Sequence, residues 1–517
     1  MSYSGKHAIP AAILVAALCS TSALAQGAKA GEEPTPGFNN KIPPEIMTPE
    51  TVQTRIGTLT FADGVPTPET TQLTYDHLDF LRGVQVFLDF VPAASLEAIR
   101  RGASEFGARE SHQAIVYDQL LDSNPLLLTG NTDTVYCIAM LDLETDGPTV
   151  VEIPAGSGPG TVNDAFFRFV IDMGAPGPDK GKGGKYLIVP PGYKGDLPES
   201  GYFVAQSPSY TNLLILRGFL VDGKPDAASK MFREGLKVYP LSMAASPPGM
   251  EFLNGSGKAY NTIHANDFGF YRELDAVIQK EPLDFIDPEL RGLAAAIGIR
   301  KGQPFAPDER MAKILTEAVA VGNATARSIA FNNRDSRSPL YPDSQWRTAF
   351  IGGDYRWLDG DGMSGRNLDA RTAFFYMATV NTPAMALQMV GAGSQYAVIY
   401  NDSSANPLVG AKSYRLNIPA NAPAKDFWSV VVYDPQTRSE LQTSQPFPSR
   451  NNKRDKLVTN ADGSVDLYFG PKAPAGLEEN WVQTVPGKGW FALLRLYGPL
   501  EPWFDKTWRP GEIELAE

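Results

Sequence analysis

Apolar residues recur along this chain at two spacings, and the change from one to the other divides it into elements. The run 135–143 is aliphatic and β-branched enough to be a buried strand. A polar cluster, Asn131-Thr132-Asp133-Thr134, stands before it. Asp146-Gly147-Pro148 marks a turn after it, and 149–153 reads as the returning strand. Upstream, Leu78, Leu81, Val84 and Phe87 recur at helical spacing within 72–106. Val91-Pro92 breaks that pattern, and a second helix is expected over 95–106. Strand-like runs at 166–173, 185–189, 202–205 and 213–220 follow, separated by Gly and Pro turns. Helices are expected at 226–238, 268–279 and 307–331, the last opened by Pro307-Asp308-Glu309 and carrying Met311, Leu315, Ala318 and Gly322 on one face. A further helix over 368–389 is interrupted at Pro383. Strands return at 396–399, 413–418, 427–433, 464–469 and 490–496, with Asp462-Gly463 as a hairpin signal.

This order predicts a mainly β protein with a helical connecting segment and two β-sandwich or jelly-roll-like domains. The segments are a signal peptide at 1–25, an extended arm with little regular structure at 26–69 and a β-rich domain with leading helices at 70–225. The connecting segment at 226–395 and the C-terminal sandwich at 396–517 complete the chain. The leader rests on Lys6, the apolar run 8–18, which is too short to span a bilayer, and the small-residue site at Ala23-Leu24-Ala25. It predicts cleavage after Ala25, a periplasmic or secreted location and no membrane helix thereafter. Cys137 is the one cysteine left, so the fold rests on its core and not on an internal disulfide. The net charge of −12 argues against nucleic acid and anionic membrane surfaces as partners.

Candidate chemistry gathers in a few places. Asn131 and Asp133, two apart, share a face on an extended chain, with Tyr136 pointing the other way. Asp133 suits a general acid or base, with Tyr136 and Asn131 orienting; the alternative is that Asn131 and Asp133 tie down their own turn. Arg495 lies on one strand face with Leu493 and Tyr497, where it either holds an anionic substrate or forms a structural ion pair. His112 is a candidate base or a helix-surface histidine, and Trp428 a stacking surface or a core residue. The loop 174–185 carries many glycines and three lysines but lacks a phosphate-loop ending, and reads as a surface hairpin loop. Asp359-Gly360-Asp361-Gly362 is a plain turn in preference to a calcium loop. The sequence has no His-Glu-x-x-His, no Gly-x-Ser-x-Gly elbow and no strand-linked Gly-x-Gly-x-x-Gly, so no metal and no organic cofactor is expected.

Several stretches together resemble a known pairing. Asn131-Thr132-Asp133-Thr134-Val135-Tyr136, followed by a strand and Asp146-Gly147-Pro148, resembles the bacterial family termed domain of unknown function 1254. The stretches Phe427-Trp428-Ser429, Tyr433-Asp434, Asn480-Trp481 and Arg495-Leu496-Tyr497-Gly498-Pro499 resemble its usual C-terminal partner, domain of unknown function 1214. The resemblance implies an exported pair of β-rich domains with a helical connection, and assigns no reaction. Where many relatives carry an Arg-Tyr pair, this chain reads Phe447-Pro448-Ser449-Arg450-Asn451-Asn452. Two functions remain in view. One is a cofactor-independent hydrolase acting on a small or oligomeric envelope or nutrient molecule. The other is a non-catalytic protein that holds a small molecule, a glycan or a partner in a cleft between β-domains. A homo-oligomer fits either.

Overall fold

The computed structural model describes residues 42–516; the leader, and the arm before residue 42, lie outside the described residues. Two compact units divide at Leu78. In the smaller, Thr51–Thr54, Gly57–Ala62 and Val65–Pro66 form a three-stranded antiparallel sheet. The expected arm at 26–69 therefore has more regular structure, from residue 51 on, than its Pro and Gly content suggested.

In the larger unit a six-stranded sheet has the order Glu251–Asn254, Gln113–Val116, Val135–Asp142, Thr211–Gly218, Pro159–Asp164, Phe169–Gly174. It packs on a four-stranded sheet of Phe203–Gln206, Gly184–Val189, Thr149–Ile153 and Lys237–Pro240. Alternation along the central strand explains the layering. Val135, Cys137, Ala139 and Leu141 face the second sheet, while Tyr136 and Ile138 face the opposite way. The glycine-rich loop after residue 174 joins these two sheets and is not a hairpin. Asp179 within it accepts from the amides of Gly174 (2.8 Å) and Gly183 (3.1 Å) and from the Tyr186 hydroxyl (2.5 Å).

The C-terminal sandwich repeats the scheme. A five-stranded sheet, ordered Arg347–Thr348, Ser394–Ile399, Phe491–Pro499, Ala424–Tyr433, Ser449–Asn451, packs on Trp481–Gln483, Val465–Gly470, Tyr414–Ile418 and Ile513–Leu515. Trp428, Val430, Leu494 and Leu496 fill the space between those sheets. Their neighbours Val431, Tyr433, Leu493 and Tyr396 face the other way. That outer face and the outer face of the first sandwich meet one shared core, to which helices Gly269–Lys280, Glu309–Phe331 and Leu368–Met377 contribute.

Two helix expectations need correction. Pro92 does not end a helix: Pro68–Phe106 is one helix with Pro92 inside it. Nearly every residue from Val86 to Ile99 is buried, and packing on all sides outweighs the lost hydrogen bond. The helix Asp226–Gly235 stops three residues short of 238 because Lys237–Pro240 is claimed by pairing with Thr149–Ile153. Among the described residues no helix is long and apolar enough to cross a membrane.

Candidate functional site

The polar cluster 131–134 is fully buried and not extended. The Asn131 side-chain oxygen accepts from the amides of Asp133 (2.9 Å) and Thr134 (3.1 Å) and from the Thr134 hydroxyl (3.2 Å). This is an Asx turn, the local competitor to a strand. It turns the chain so that the Asn131 amide nitrogen donates to the Tyr136 hydroxyl. Tyr136 therefore does not point away from Asn131, as an extended chain would require.

Asp133 is held from the other sandwich. The Ser429 hydroxyl (2.5 Å) and the Tyr497 hydroxyl (3.0 Å) donate to one carboxylate oxygen, and the Asn451 amide (3.0 Å) donates to the other. Ser429 and Tyr497 reach it because they have the same strand parity as Val431 and Leu493, whose face looks out of the C-terminal sandwich. Asn451 belongs to the stretch Phe447-Pro448-Ser449-Arg450-Asn451-Asn452, which thus supplies a donor to Asp133. Arg454 closes the cluster, donating to the Thr132 carbonyl (2.9 Å) and the Ser449 hydroxyl (3.0 Å).

Arg495 is 4% exposed and lies beside this turn. It donates to the carbonyls of Thr129 (2.5 Å) and Gly130 (3.1 Å) and to the Tyr433 hydroxyl (2.7 Å), and its Nε has no partner. All these acceptors are neutral. Glu440 lies within the field of Arg495, yet both its oxygens are buried without a partner. Burial holds its carboxyl well above the usual range even with Arg495 nearby.

A cavity of about 60 Å³ opens on Arg495, Tyr136, Tyr396 and a second buried guanidinium, Arg217. Arg217 is paired in register with Tyr136 across the sheet, reaches Met385 Sδ at 3.8 Å and has the Tyr396 hydroxyl within its field. Among the described residues neither Arg217 nor Arg495 forms an ion pair with a carboxylate. A narrower cavity of about 20 Å³ shares Ile215, Arg217 and Met385 with the first and adds Asp172. Burial pushes Asp172 up to about 6, with the Thr382 and Thr161 hydroxyls and the Arg217 charge acting the other way. On the other side, an apolar cavity of about 50 Å³ shares Thr129, Ala349, Phe374, Ala378 and Leu493.

The remaining sequence candidates lie elsewhere. Trp428 is buried between the two C-terminal sheets, on the face opposite Ser429. His112 pairs with Glu110 (3.4 Å) and stands near Asp146, at the far end of the 135–142 strand from Asp133. That is about 26 Å away by strand rise. Cys137 is free and buried, and burial pushes its thiol up, which removes nucleophilic character at neutral pH. Asp359 is bound by Arg337 (2.8 Å), as befits a structural turn. Sequence reasoning passed over Arg217, Glu440, Ser429 and Asn451. Arg217 did leave a signal, a single charge closing the otherwise apolar run 213–216.

No curated protein matches the chain. Among solved structures, the VPA0106 protein from Vibrio parahaemolyticus is similar in fold, with 17% identity and a TM-score of 0.52. The match covers 85% of this chain and 100% of that one. An uncharacterized protein from Burkholderia cenocepacia is 12% identical over 87% of this chain and 97% of its own, with a TM-score of 0.39. Two family models described as proteins of unknown function match within the chain. DUF1254 covers residues 112–240, and DUF1214 covers residues 393–501, in the order that the motifs around Asp133 and Arg495 implied.

Proposed function

We propose that this protein binds a small organic acid in the internal cavity between the two sandwiches, with the carboxylate of the ligand between Arg217 and Arg495. The observation that carries this reading is a pair of buried guanidinium groups on one cavity, neither ion-paired to a carboxylate among the described residues. Burying an unneutralised charge costs several kcal/mol, and an anionic ligand offsets that cost by supplying the missing partner. The adjoining apolar cavity gives room for a short aliphatic tail.

The hydrolytic alternative asks Asp133 to accept a proton from a reacting group. Three donors already occupy its oxygens, which supports reading it as the anchor of the cavity wall and supports binding over turnover. The leader-like residues 1–25 support a periplasmic or secreted setting for this ligand.

Isothermal titration with acetate, butanoate and octanoate tests the proposal on wild type, Arg217→Met and Arg495→Met. Wild type is expected to bind at least one acid, and each variant to weaken it by about tenfold or more. At pH 5, where Asp172 is neutral, Arg217→Met is also expected to melt higher than wild type without ligand, because a buried charge without a counter-charge has gone. Equal affinity in wild type and both variants, or no binding by wild type below about 10 mM, overturns it.

A further inference from the structure

A second and larger cavity, about 360 Å³, lies away from the arginine pair. The loop after Pro159–Asp164, the residues just before and within Pro288–Ala296, and the segment 355–371 form its walls. Its volume is within the range of small-molecule sites. The floor is aromatic: Phe166, Trp357 and Phe375 are buried, and Phe169 meets Tyr355 edge-on with ring centroids 5.7 Å apart.

Three residues of this wall carry buried polar atoms without a protein partner. They are Trp357 Nε1, Arg371 Nε and Asn381 Oδ1, on side chains 3%, 7% and 3% exposed. Two are donors and one is an acceptor. These three atoms are themselves inaccessible, so they lie behind the cavity surface and not on it. Trp357 also has φ of 60°, a left-handed conformation that a bulky aromatic adopts only under strain.

The rim is cationic and unevenly neutralised. Arg168 is bound to Asp164 (2.5 Å), Arg356 to Asp354 (2.9 Å) and Arg371 to Asp89 (2.7 Å). Arg366 is different: among the described residues it is exposed at the rim, donates to the Arg356 carbonyl, and has Asp354 and Asp287 within its field but in no ion pair with it. Asp287 is the one carboxylate among the lining residues, and its side chain caps the helix Pro288–Ala296 by accepting from the Leu290 amide.

We infer that this cavity is a binding site for an aromatic carboxylate. The ring would lie against the aromatic floor and the carboxylate would meet Arg366. A plain aliphatic acid satisfies only the charge contact and leaves the aromatic floor unmatched, which separates this site from the Arg217–Arg495 cavity.

Isothermal titration of the full chain with 4-hydroxybenzoate, benzoate and cyclohexanecarboxylate tests the inference. 4-Hydroxybenzoate and benzoate are both expected to bind tighter than cyclohexanecarboxylate, and Arg366→Gln to weaken both by about tenfold. Arg366 is exposed, so the variant keeps the fold, and a thermal melt matching wild type checks this. Arg217→Met is expected to leave the affinity for 4-hydroxybenzoate unchanged. Loss in Arg217→Met but not in Arg366→Gln places the ligand in the first cavity and overturns the second site. Equal affinity for cyclohexanecarboxylate and 4-hydroxybenzoate, or no binding by wild type, also overturns it.

Discussion

Asp133 has no exposure and three side-chain donors from the opposite sandwich. Removing its carboxylate leaves those buried donors without an acceptor, and each such loss costs about 1–3 kcal/mol. Asp133→Ala is therefore expected to lose about 3–5 kcal/mol in urea unfolding, with the midpoint lowered and the slope unchanged. Asp133→Asn keeps one acceptor oxygen and is expected to lose less. A loss under about 1 kcal/mol in Asp133→Ala would mean that the three donors find water instead, and would return Asp133 to the list of reactive groups.

At the scale of elements, the Glu309–Phe331 helix shows why a face read from periodicity is not yet a packing arrangement. Leu315, Ala318, Val319 and Gly322 are all buried, as their spacing required. The pattern did not say why Gly322 is glycine. A β-carbon there would lie 2.8 Å from Phe87 Cβ, on a side chain with no exposure. Gly322→Ala gains about 1 kcal/mol in helix propensity and meets an overpacking cost of about 1–3 kcal/mol. Because the clash is with a β-carbon and not a flexible tip, the cost prevails. A thermal melt is expected to show a lower midpoint, and a higher one would mean that the helices separate freely.

At the scale of the whole molecule, the proposed cavity belongs to neither sandwich alone. Arg217 comes from the first, Arg495 from the second, and Phe374 from a helix between them. Its charge balance depends on pH through Asp172, which burial pushes up to about 6. Arg217, Thr161, Thr382 and Tyr186 are the groups acting on or near it. Above pH 6 Asp172 is negative and opposes a bound carboxylate. Below pH 6 it is neutral, while an ordinary organic acid stays ionised down to about pH 5. Affinity for the acid is thus expected to rise about tenfold as pH falls from 7 to 5, and to stay flat in Asp172→Asn. Titration calorimetry across that range checks it; an equal slope in both proteins would remove Asp172 from the cavity's electrostatics.

The strands were legible because side-chain alternation is a local property, and Thr149–Ile153, Val135–Asp142 and Tyr414–Ile418 lie at or within a residue of where their apolar runs place them. The order of strands and helices, and with it two sandwiches on a helical connection, followed from the same local patterns. So did the face on which Arg495 and Tyr497 stand. The sequence also marked Asn131–Asp133 as a polar cluster set against a buried strand. It could not show that Asp133 is bound by Ser429, Asn451 and Tyr497, about 300 residues or more away in the chain. Nor could it show that packing carries a helix through Pro92, or that Arg217 shares a cavity with Arg495. Those facts depend on which faces meet across long chain separations. Burial and its electrostatic consequences are set by neighbours in space, and only the tertiary structure decides who those neighbours are.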